Sequence, residues 1–268
     1  MALVAVLAVL ALVITLIVVL ADGGPAARPR CTITAPPDSS GLPATWTLSP
    51  EQADSAATIV GVGRRLGVPD RAVTIALATA IQESGLVNLD YGDRDSLGLF
   101  QQRPSQGWGS EEEILDPVVS TTAFYEGLLQ VPGWTTMDVT VAAQAVQRSG
   151  FPEAYADHEP EARLMAVSLL GQAPGSWTCT DLPATPPDDA SSTEVAALAS
   201  RELGTTRLSG AQPAEEGWAI ATWLVAHGER LALESVTYDG QTWTVASGAW
   251  TTSGPADGRL SLRRIGQP

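Results

Sequence analysis

Lysine is absent from all 268 residues; the fifteen basic side chains are arginines, set against thirty acidic ones, and the net charge is −15. Such a surface repels phosphate backbones, which argues against a nucleic-acid partner. Histidine and cysteine number two each, too few for a multi-ligand zinc or haem site, so neither a metal nor another cofactor is expected. Charged residues are also scarce, at 17%, while hydrophobic ones reach 44%, a balance too apolar for a disordered chain. The glycines of Gly61-Val62-Gly63 lack a preceding strand, and a third glycine falls one residue late, which removes a dinucleotide loop. What remains is a chain long enough for about two domains and at least one well-buried core.

Ala2 to Ala21 carries no charge and is long enough to span a bilayer. It reads as a membrane anchor, with a cleaved signal peptide as the alternative, since Val19-Leu20-Ala21 and Pro25-Ala26-Ala27 offer small residues to a peptidase. The anchor is favoured because a signal's apolar region is normally shorter. Arg28 and Arg30 lie on the side that the positive-inside rule would keep cytoplasmic, but large domains translocate largely regardless of flanking charge. The expected location is therefore the cell membrane, single-pass with extracytoplasmic domains, or secreted if the segment is removed.

Residues 22–48, rich in proline, glycine, alanine and serine, read as a linker, and a second Pro-rich linker covers 180–193. Between them, over 49–179, helical signals dominate. Ser49-Pro50-Glu51-Gln52 and Ser110-Glu111-Glu112-Glu113 are capping boxes, and Asp116-Pro117 starts another helix. Asp70 is expected to cap a helix whose Val73, Ile75, Ala76, Leu77, Ala78, Ala80 and Ile81 are apolar nearly all round, as at a domain centre. Four glycines between Leu86 and Gly109 predict a loop with a short hairpin, and a last helix is expected from about Pro152 to Leu170. Residues 194–268 predict a small α+β domain with a hairpin at Asp239-Gly240. The fold class expected is mainly α: an N-terminal transmembrane helix, a helical domain with a short hairpin, and the small α+β domain. Cys31 and Cys179 flank the helical region; in an exported protein such a pair reads as a disulfide, the alternative being two free thiols.

Glu83 stands out on position alone, a lone carboxylate ending an apolar helix and followed by a glycine-rich loop. Burial and the helix C-terminus both disfavour its charged form, and a glutamate so raised suits a general acid near neutral pH. An exposed glutamate without a role is the equal alternative on these grounds. The surrounding segments break the tie. Glu83-Ser84-Gly85, then Gly98-Leu99-Phe100-Gln101-Gln102, then Ala143-Gln144-Ala145-Val146-Gln147 together resemble the lysozyme-like superfamily of lytic transglycosylases and goose-type lysozymes. The string from Ala76 to Gly109 also looks like membrane-anchored actinobacterial proteins with this domain, and the resemblance covers roughly residues 49–172. Gln147 departs from the family's usual asparagine, and no tyrosine directly precedes it.

The resemblance implies a lysozyme-like domain in which Glu83 protonates the glycosidic oxygen of peptidoglycan strands, with Ser84, Phe100, Gln101, Gln102, Trp108 and Gln147 binding the sugars. Asp95 resembles the second catalytic aspartate of animal-type lysozymes, one residue out of place; a solvated acidic loop formed by Asp90, Asp93 and Asp95 is the alternative. Residues 217–243 are similar to part of a zinc peptidase-like wall domain, yet the histidine-bearing end of that family reads Asp257-Gly258-Arg259-Leu260 here, so this part is expected to be non-catalytic and metal-free. The function implied is an exported glycosidase or transglycosylase whose partners are glycan strands and, through residues 2–21, the membrane. Its rival is a catalytically silent lysozyme-like protein that binds wall glycan or a wall-synthesis partner.

Overall fold

The computed structural model describes residues 28–37, 39–150, 153–184 and 192–266. The proposed anchor or signal at 2–21 and half of the second linker, residues 185–191, lie outside these residues. Among the described residues no helix is long and apolar enough to cross a membrane.

The chain enters on β1 (Arg30–Thr34) and β2 (Thr45–Leu48), then forms α1 (Pro50–Leu66) and α2 (Asp70–Ser84). Short α3 (Glu111–Leu115) leads to α4 (Pro117–Leu129), α5 (Val139–Gln147) and α6 (Glu159–Leu169), and the segment closes with β3 (Trp177–Thr180). There follow α7 (Ser192–Leu203), β4 (Gly210–Ala211), α8 (Ala214–Ala226) and the strands β5 (Leu233–Tyr238), β6 (Gln241–Thr244), β7 (Trp250–Thr252) and β8 (Arg259–Arg264).

The mainly α expectation does not hold. The described residues are 46% helix and 16% strand, and their strands form two antiparallel sheets, ordered β2-β1-β3 and β4-β8-β5-β6-β7. The first sheet arises where a linker was expected. Arg30-Cys31-Thr32-Ile33-Thr34 alternates, with Cys31 and Ile33 buried and their neighbours turned outward, the period-two pattern of a strand over a core. Its β-branched content favours a pleated, half-buried surface, and pairing with β3, more than a hundred residues away, supplies the partner that local composition does not reveal. Cys31 and Cys179 face each other in that register and are disulfide-bonded.

The helices follow their local signals more closely. Ser49 and Ser110 each accept a hydrogen bond from the third helical N–H, with Gln52 and Glu113 returning the bond, so both capping boxes form. Asp70 is not the cap expected of it: Pro69 occupies that position, and the Asp70 carboxylate instead accepts from Gln172 Nε2 at 2.8 Å. The helix expected from Pro152 begins as a tight three-residue-per-turn segment over Ala154–His158 before α6, while Pro152 itself lies outside the described residues. The Asp239-Gly240 hairpin forms with both residues at positive φ, as a two-residue turn between right-twisted strands requires.

α2 lies at the centre, with Ala72 through Ala80 all buried. The same continuous hydrophobic cluster extends through α1 and α6 into α7, α8 and the five-stranded sheet. Two tryptophans fasten that sheet to β3: Trp243 and Trp250 donate their indole N–H groups to the carbonyls of Cys179 and Trp177, at 3.2 and 2.9 Å. A buried ionic group fastens α8 to α1 and α7. His227 reaches Asp54 through Nδ1 at 2.5 Å and Glu202 through Nε2 at 3.0 Å, while Glu202 also accepts from Thr58 (2.9 Å) and Trp223 (2.7 Å).

Candidate active site

Glu83 occupies the last turn of α2, which ends at Gly85 in the left-handed conformation. Ser84 fixes the loop that follows: its hydroxyl lies 2.8 Å from the Leu99 carbonyl, tying the helix end to the Gly98–Gln102 turn. Leu97 and Gln102 exchange both backbone hydrogen bonds at 2.9 Å, forming a tight hairpin. Gly98 is required there, because its φ is +76° and an added Cβ would meet the Ile114 carbonyl at 2.7 Å.

These elements leave a cleft of about 500 Å³ lined by Glu83, Gln101, Gln102, Arg103, Trp108 and Gln147, with Asp93, Arg94, Arg148 and Ser149 around them. Glu83 is partly buried, and burial raises its carboxyl above the ordinary value of 4.5 against opposing hydrogen bonds from Tyr155 and Gln147. The Tyr155 hydroxyl donates to Glu83 Oε1 at 2.6 Å. Burial and the neighbouring carboxylate push the phenol well above its ordinary range, so Tyr155 keeps its proton and acts as a donor. Gln147 Nε2 also donates to the Phe100 carbonyl at 2.6 Å, linking α5 to the hairpin.

The residues expected to bind sugar divide by orientation. Gln101, Trp108 and Gln147 line the cleft directly. Phe100 is wholly buried and stacks on Phe124 at a centroid distance of 4.6 Å, so its side chain shapes the hairpin from beneath. Gln102 is almost fully buried; its Nε2 donates to the Ser120 carbonyl, and its Oε1 has no partner among the described residues. Ser84 is a tether for the hairpin. Asp95 is turned to the protein: its carboxylate accepts from the Ser105 N–H at 2.8 Å and from Arg103 at 2.7 Å. These bonds, Ser105 first, hold it well below the usual carboxylate range, and it does not line the Glu83 cleft.

Two contributors escape the sequence reading. Tyr155 is one, because nothing local reveals that a residue 72 positions away reaches Glu83. Arg148 directly follows Gln147 in the third motif, and that adjacency was the available signal. No family model and no curated protein matches this chain.

Proposed function

We propose that this protein cleaves the glycan strands of peptidoglycan outside the cytoplasm, with Glu83 acting first as general acid and then as base. The observation that carries the reading is the Glu83 carboxylate, raised by burial, lining a polar cleft and held by a phenol that stays protonated. Tyr155 donates to Oε1, and in this reading Oε2 carries the transferable proton. Glu83 gives that proton to the glycosidic oxygen as the bond between N-acetylmuramic acid and N-acetylglucosamine breaks. The sugar's own 6-hydroxyl then attacks the anomeric carbon and returns its proton to Glu83, closing a 1,6-anhydro ring.

Anhydro formation is favoured over hydrolysis because a hydrolase needs a second carboxylate as nucleophile or base. Asp95, the residue with a family rationale for that part, is committed to Ser105 and Arg103, and Asp93, the other acid on the cleft, is highly exposed and faces Arg94. The disulfide supports action in an oxidising compartment. Digestion of purified peptidoglycan with the products identified by mass tests the proposal. Anhydro-muramic ends are expected from the native protein, with a rate loss of at least about 10²-fold in Glu83→Gln, the lower end of what a positioned general acid supplies. Reducing muramic ends would replace this mechanism with hydrolysis. Saturable strand binding without turnover would favour the silent glycan-binding protein.

A further inference from the structure

We infer that Arg148 and Arg94 make the Glu83 cleft a carboxylate-recognition site, so that the strands it takes are those bearing carboxylates. The inference rests on the glycan-cleavage reading and adds which glycans the site selects.

The starting observation is a local concentration of arginine. The whole chain carries −15, yet the cleft wall brings together three arginines, Arg94, Arg103 and Arg148, against two acids, Glu83 and Asp93. Arg103 is occupied, since Asp95 takes its Nε at 2.7 Å. Arg94 has only Asp93, at 3.9 Å between two highly exposed side chains, a contact too loose and too solvated to hold a guanidinium. Arg148 forms no ion pair among the described residues and is exposed at the end of α5.

Backbone conformation is the second, independent observation. Among the described residues seven non-glycine residues adopt positive φ, and three of them, Arg94 (60°), Gln101 (47°) and Arg148 (54°), line this one cleft. A left-handed conformation is unfavourable for residues with a Cβ and tends to persist where the site requires it. Here it places two arginines, in a chain without lysine, at the rim of the cleft that holds the acid.

Arg148 also belongs to the wall of a neighbouring cavity of about 870 Å³, which shares Gln106, Trp108, Gln147 and Arg148 with the Glu83 cleft and continues over Val131 and Pro132. A strand running through both compartments passes Arg148 at the junction. A guanidinium offers a planar fork of donors that matches a carboxylate, and it remains charged at every working pH. The glycan's carboxylates come from two sources, the lactyl group of the muramic sugar and the free acids of the peptide stem. Either would be drawn into this cleft although the protein as a whole is acidic.

Calorimetric binding to the full chain carrying Glu83→Gln, which holds strands without cutting them, tests the inference. Three probes are needed: a neutral N-acetylglucosamine oligomer, a peptide-free strand bearing lactyl carboxylates, and a strand bearing peptide stems. The charged strands are expected to bind at least about tenfold more tightly than the neutral oligomer at low salt, with the advantage shrinking as salt rises. Adding Arg148→Gln should remove most of that advantage while changing neutral binding by less than about twofold. Arg94→Gln should remove a smaller share, and Arg148→Lys should restore part of it. Preference for the peptide-free strand over the neutral oligomer identifies the lactyl group as the source, whereas preference confined to the stem-bearing strand identifies the peptide. Equal affinity for neutral and charged probes, or an equal loss on all three in Arg148→Gln, overturns the inference alone. Failure to bind any of the three overturns the glycan reading together with it.

Discussion

Glu83 is the point where burial and hydrogen bonding oppose each other over one proton, and burial prevails. A carboxyl whose folded value lies above its unfolded value binds more protons in the native state, so native stability falls as pH rises past about 4.5 toward the raised value. Glu83→Gln should therefore raise the melting temperature at pH 7 and have little effect at pH 4, and thermal denaturation at the two pH values measures this. A variant no more stable at pH 7 than the native chain would mean that the carboxylate is not strained by its surroundings. Tyr155→Phe acts in the other direction on the same group. Loss of the 2.6 Å bond removes support for the carboxylate, so the Glu83 pKa should climb and the alkaline limb of the pH–activity profile should move to higher pH. The lost bond to a charged group should also cost about 1.5 kcal/mol of stability, read from chemical denaturation.

At the scale of elements, what was legible in the sequence is what neighbouring residues decide among themselves. The capping boxes at Ser49 and Ser110, the proline starts at Pro50 and Pro117, and the turn at Asp239-Gly240 all involve groups within a few positions of one another, and all form. Glu83, Gln101 and Gln147 were singled out through their motifs and Trp108 through the longer string around them, and the structure brings all four to one cleft. The strands β1 and β2 were not legible. Each is four or five residues long inside a proline- and glycine-rich stretch, and the pairing that makes β1 a strand comes from Trp177–Thr180. The disulfide fixes that distant pairing across 148 positions. Reduction, or paired replacement of Cys31 and Cys179 by alanine, should cost up to about 5 kcal/mol by loop-closure entropy, with guanidinium unfolding midpoints as the measure. Protection of the β1 amides from hydrogen exchange should fall before that of α2.

Across the whole molecule, the His227 group joins three helices by buried charge. Burial alone would raise the Asp54 carboxyl and lower the imidazole, but their mutual attraction, together with Glu202 beside His227 and Arg230 beside Asp54, reverses both effects. Asp54 is held below its ordinary value and His227 is held up at about 9. His227 therefore contributes stability that is complete below its unfolded value of about 6.5 and is lost as pH rises through about 9. The Asp54 contribution is present above about 3.8 and is lost as pH falls through its depressed value. Denaturation at pH 6 and pH 10 should show the native chain markedly weaker at the higher pH. His227→Gln should cost about 3–5 kcal/mol at pH 6, because it strands buried carboxylates without a counter-charge, and should flatten the pH dependence. An unchanged slope in the variant would place the loss elsewhere. The sequence shows His227 only as an isolated histidine, since its partners Asp54 and Glu202 lie 173 and 25 positions away.

The pairing of β1 with β3 also sets a timetable. During synthesis Cys31 emerges early, but its partner follows 148 residues later, and the tryptophans that cover β3 come later still. Until then α1 has neither its sheet nor the His227 group that closes over Asp54. Contacts so distant in sequence are slow to form, and the apolar surfaces waiting for them are exposed meanwhile. The nascent protein must keep one thiol unpaired and one helix face uncovered while the 148 residues between the cysteines are made, which makes its yield a function of how quickly β3 and its covering tryptophans arrive and how promptly the thiols are oxidised.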